Sequence, residues 1–106
     1  MLEEIAHKIL LALGVEIEIE ALSHNKLVQE ILKKDSEVGL KYQQFAQDYE
    51  AYLFVKQDFE LKSKLKAIWE IQCQSLRQKA TNSLNALRTL IKQKNIAVEG
   101  LDINLL

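Results

Sequence analysis

The sequence predicts an all-α fold: a small bundle of four or five helices framed by a long antiparallel helical hairpin. Three observations carry that expectation. Residues 41–94 contain neither Gly nor Pro, and the whole chain has no Pro, so the strongest breakers of regular structure are missing there. Apolar residues recur along this stretch at spacings of three and four, the period of a buried helix face. Capping residues stand where the pattern is interrupted.

At 106 residues the chain has the length of one domain, 1–106. Hydrophobic residues make up 48% of it, enough for a core, although small domains bury a smaller share of their surface and often borrow a partner's. The net charge of −1 hides an asymmetry. Residues 1–55 hold five lysines against ten carboxylates, and residues 56–106 hold nine Lys or Arg against five.

Leu2, Ile5, Ala6, Ile9, Leu10 and Leu13 follow the i, i+3, i+4, i+7 pattern of an amphipathic helix. Gly14 then sits where a left-handed residue closes a helix. Residues 15–19 alternate strictly, as does the tail at 101–105, and the two could form a minor β pairing within the chain or across a dimer. The simpler arrangement leaves 15–20 extended over the bundle or absorbed into a helix. Ser23 is placed to cap a helix over 25–34 with Leu27, Val28, Ile31 and Leu32 inward. Asp35 and Ser36 are the next caps.

Val38, Tyr42, Phe45, Tyr49 and Tyr52 form a heptad seam that Phe59 continues past a charged Lys56. A second seam then runs in a new phase: Leu65, Trp69, Cys73, Leu76, Ala80, Leu84, Leu87 and Ile91. The change of phase, with Asp58 as N-cap, predicts helices over 37–56 and from 59 onward. Thr81-Asn82-Ser83 offers a further break. The seam crosses it without slipping, which favours one helix over 59–94. Asn95 ends it, and the apolar tail of Leu101, Ile103 and Leu105 is expected to dock on the bundle or on a partner.

Few residues suggest chemistry. Cys73 lies in the apolar seam with only Arg77 near it at helical spacing, which is the setting of a core cysteine rather than a nucleophile. A lone cysteine also gives no disulfide. His7 and His24 lack a converging set of metal ligands, Glu3 aside. Glu16, Glu18 and Glu20 are the charged edge a strand would use against aggregation. There is no H-E-x-x-H, Gly-rich phosphate loop or paired-cysteine motif, so no metal, cofactor or small-molecule substrate is called for. No apolar run approaches the ~18 residues that span a bilayer, and Glu3 and Glu4 stand where a secretory leader is basic. A cytoplasmic, non-enzymatic protein is the expectation.

Two functional readings remain. Leu53, Phe54 and Val55 make one helix apolar on nearly all sides, the mark of a central or interface helix. With Leu101, Ile103 and Leu105 they are the candidates for a protein interface. The chain would then be a small interaction subunit that docks on a larger assembly or self-associates. Lys62, Lys66, Arg77, Arg88 and Lys92 are the second set. On a continuous helix they share an arc of roughly 120°, a stripe able to track phosphates without reading sequence or to pair with the acidic N-terminal half. In size and helical class alone the chain is similar to the small all-helical subunits of CRISPR effector complexes. That likeness implies a sequence-independent nucleic-acid backbone binder within a ribonucleoprotein.

Overall fold

A computed structural model describes residues 2–15 and 22–98. Among these the chain forms five helices and no strand: α1 (Leu2–Ala12), α2 (His24–Lys34), α3 (Ser36–Lys56), α4 (Phe59–Lys64) and α5 (Lys66–Gln93). The all-α helical expectation holds. The alternating segments fall almost wholly outside the described residues. Val15, at the edge of the first, is buried and has no strand partner among the described residues.

The helix ends follow from local chemistry. Gly14, at φ +81°, closes α1 in a Schellman turn. Its N–H donates to the Leu11 carbonyl (3.1 Å), and the Val15 N–H reaches back to the Leu10 carbonyl (3.0 Å). Asn95, at φ +55°, repeats the device after α5, with Ile96 N–H donating to the Ile91 carbonyl at 3.1 Å. In both turns the residue after the left-handed one packs on the core. Ser23 caps α2 by accepting from Lys26 N. Asp35 caps α3 through Val38 N at 3.2 Å, and Asp58 caps α4 through Leu61 N at 3.0 Å.

α2 turns directly into α3 at Asp35, and Gly39 permits the tight crossing. A β-carbon there would come within 2.8 Å of the Leu32 backbone. α1 packs on α2, α2 on α3, and α3 on α5. The core is built from Ile5, Ile9, Leu10, Leu27 and Ile31 against the α3 seam. All five residues of that seam, Val38, Tyr42, Phe45, Tyr49 and Tyr52, are buried. The Tyr42 hydroxyl donates to the Leu2 carbonyl (2.8 Å), which leaves His24 Nε2 as donor to Tyr42 (2.7 Å). Burial holds this phenol above its ordinary pKa, and Glu50 and Glu3 add to the shift.

α3 and α5 run antiparallel as the expected hairpin. Asp35 faces Lys94, Asp48 faces Ser83, and the Val55 carbonyl faces Trp69. α3 has 21 residues and α5 has 28, so α5 outreaches α3 by about 10 Å at 1.5 Å per residue. The radius of gyration, 15.2 Å, exceeds the ~13 Å of a compact chain of this length.

Two expectations need correction. The second helix of the hairpin is not continuous from 59. It breaks at Leu65, with φ −136° and ψ 59°, whereas Thr81-Asn82-Ser83 lies inside unbroken helix. The break is tertiary in origin. The Trp69 indole donates to the Val55 carbonyl (2.9 Å), one of the acceptors left open at a helix C-terminus. Lys62 Nζ stands 4.8 Å over the Trp69 ring, which ties α4 to α5 across the break. The seams also do not continue as expected. Phe59 is 74% exposed, and the α5 seam is buried only from Ala80 onward.

Candidate interaction surfaces

The overhang of α5 creates the first surface. With a register in which Asp35 meets Lys94 and Asp48 meets Ser83, the end of α3 lies near Cys73. Residues 66–72 therefore run past the end of α3, touching it through Trp69 and Val55, and among the described residues α4 is the helix that continues beside them. Among the described residues no full-length helix covers the seam there. Trp69, Cys73 and Leu76 are half-buried, and Leu65 is exposed. Ile68 and Ile71 lie on the opposite side of α5 and are exposed as well. With Phe54 and Phe59, five large apolar side chains from residues 54–71 are between 46% and 79% exposed. Leu53 and Val55 behave differently from Phe54. Leu53 packs against the core, and Val55 contributes its carbonyl to Trp69. Leu101, Ile103 and Leu105 lie outside the described residues.

The basic stripe is the second surface. Lys66, Arg77, Arg88 and Lys92 fall within about 80° of one another on α5. Lys62 does not join them, because the break at Leu65 puts it on α4 and over the Trp69 ring. Glu70 occupies the same arc. Arg88 is partly buried and bonds Asn85 Oδ1 at 3.4 Å. Lys66, Arg77 and Lys92 are exposed and make no ion pair among the described residues.

Charge pairing with the acidic half does occur, through cations outside the stripe. Lys94 Nζ contacts both Asp35 oxygens at 2.8 Å and Glu37 at 3.2 Å. The hydrogen bond from Lys94 holds the Asp35 carboxyl below its ordinary pKa against the opposing effect of burial, with Val38 N–H adding to the lowering. Lys79 Nζ lies 3.6 Å from Asp48. Asp48 is buried, accepts from Gln44 Nε2 (3.1 Å) and from the Ser83 hydroxyl, and so clips α3 to α5. Its oxygens are occupied by these donors, and no histidine joins the cluster. The arrangement has the chemistry of a clasp between helices.

Sequence reasoning passed over Asp48, Ser83, Lys79 and Lys94. The signal was available in their i+4 and i−4 neighbours only once the register was known. The aromatic cluster offers little to nucleobases: Tyr42, Phe45, Tyr49 and Tyr52 are buried, and stacking needs an open ring face. No group of three or more His, Cys, Asp or Glu side chains gathers as for a metal among the described residues. No helix there is long and apolar enough to cross a membrane.

A groove of about 640 Å³ runs between α3 and α5, lined by Leu40, Gln44, Gln47, Asn82, Ala86 and Leu90 among others. It presents amides and aliphatic carbon, with Glu37 and Lys41 at one end.

Comparison with the models of known protein families finds no match, and none is found among curated proteins or solved structures.

Proposed function

We propose that this chain is a non-enzymatic interaction subunit that docks on a larger protein assembly or on a copy of itself. The observation that carries this reading is the set of exposed side chains Phe54, Phe59, Leu65, Ile68 and Ile71 at the distal end of the hairpin. Scattered single apolar residues on a surface are ordinary, but five large ones concentrated at one end of the hairpin support an interaction role for that end. Aromatic anchors of this kind carry a disproportionate share of interface energy. The apolar tail at 101–105 is a second element for such docking, in the cytoplasm.

The test is recovery of the native protein with its partners, followed by F54D/F59D. These exposed substitutions leave the unfolding midpoint within experimental error of the parent. Loss of the bound protein at unchanged stability supports the reading, and retention of it by the variant rules out the distal end.

The second reading, contact with a nucleic-acid backbone, is favoured by Lys66, Arg77, Arg88 and Lys92 sharing one arc of α5. Glu70 within that arc and Lys62 outside it weigh against it. Co-purifying nucleic acid whose affinity falls steeply with salt, and is lost on charge reversal at Lys66 and Arg77, would move the assignment to this reading.

A further inference from the structure

The solvent side of the α3/α5 pair carries almost no charge. On α3, Leu40, Gln44, Gln47, Ala51 and Phe54 are exposed and spaced four, three, four, three. On α5, Ile68, Ile71, Ser75, Gln78 and Asn82 are exposed with spacings of three, four, three, four. Both rows follow the period that one helix presents to another in a bundle. On α5 an arc of roughly 100° holds no charged residue from Ala67 to Gln93. Lys66, Glu70, Arg77, Arg88 and Lys92 all lie to one side of it. Lys79, the single charge on the other side, is turned to Asp48. A solvated helix face ordinarily carries charged residues, and depletion of charge marks the centre of an interface.

We infer that this face binds a second copy of the chain, two α3/α5 hairpins packing into a four-helix bundle about a two-fold axis. The inference rests on the interaction-subunit reading and names the partner. Charge decides the occupant. In a two-fold interface the patch meets its own copy, residue i against j and j against i, so a patch of one net sign would meet the same sign. A face of amides and aliphatic carbon is compatible with its own copy, because glutamine and asparagine both donate and accept. A partner chosen by opposite charge would instead need the α5 flank that carries Lys66 and Arg77. The face also offers large apolar side chains to a copy. Leu40, Phe54, Ile68 and Ile71, spread over both rows, are 46% to 79% exposed, and a standard interface takes about 800 Å² from each partner. The groove between the helices gives ridges of the copy a place to enter.

Ala51 lies mid-face, beside Gln47 and Phe54 and level with Gln78 of α5, so a two-fold axis through the face brings both copies of it close. Sedimentation velocity at micromolar concentration is expected to give twice the monomer mass for the parent. A51E and A51K are each expected to sediment as monomers with unchanged helical circular dichroism, and an equal mixture of the two to regain the doubled mass. A parent that stays monomeric, an A51E variant that still pairs, or a mixture that does not recover overturns the inference. F59D, a substitution outside these rows, is expected to keep the doubled mass while losing a partner held at the distal end. A monomeric parent that still holds such a partner would end the dimer and leave the docking role standing. A monomer that binds nothing ends both.

Discussion

The two ends of the hairpin carry the same kind of pattern and meet opposite fates. At the proximal end Val38, Tyr42, Phe45 and Tyr49 face α1, α2 and the last turns of α5, and every one is buried. At the distal end Leu65, Trp69 and Cys73 also share one helix face, at spacings of four, yet none is fully buried. The difference lies in neighbours. Two helices and the buried half of α5 surround the first seam, whereas α3 ends alongside the second, and among the described residues only the short α4 continues beside it. Helical spacing says which residues share a face. It does not say how far the facing helix extends.

The largest effect that would sharpen this contrast is a pair of like substitutions. Phe45→Ala removes a fully buried ring and is expected to cost about 3–5 kcal/mol. Phe59→Ala, on an exposed ring, should stay within about 0.5 kcal/mol. Urea unfolding of both variants checks this, and equal losses would mean that the distal end is as well packed as the proximal one.

The clasp at Asp48 is where the two regions join. Asp48→Ala leaves the Ser83 hydroxyl and the Gln44 amide without their acceptor and should cost about 1–3 kcal/mol. Hydrogen exchange in that variant is expected to rise first in α5 beyond residue 79. Unchanged stability would show that the clasp adds nothing to apolar packing.

The smallest expected effect is electrostatic. Asp35 titrates below its ordinary value because of Lys94, so the pair stabilises the fold fully above the unfolded carboxyl's ~3.9. That contribution disappears as pH falls through the lower folded value. Lys94, raised chiefly by its hydrogen bond to Asp35, keeps its part up to the unfolded lysine's ~10.4 and loses it as pH rises through the higher folded value. The stability gap between the parent and Lys94→Met should therefore be flat through neutral pH and close in acid below pH ~4. A gap that persists unchanged at the lowest pH would assign it to packing of the lysine stem.

Much of the proximal architecture was legible because its determinants are local. Ser23, Asp35 and Asp58 cap through side chains three residues from the donor, and Gly14 and Asn95 end helices through their own backbone freedom. The Leu65 break was not legible, since Ser63-Lys64-Leu65-Lys66 holds neither Gly nor Pro. Its cause is Trp69 reaching across to Val55, 14 residues earlier. The same limit explains why Lys62 was grouped with a stripe it does not join, and why Lys79 and Lys94 were passed over.

By itself, then, the sequence determined the all-α class, the caps and the α3 seam, because each depends on spacing within one helix. The tertiary structure decided which apolar residues are covered, which cations find carboxylates and where the second arm of the hairpin breaks. Those outcomes depend on relative helix length and register, which arise only when helices pack together.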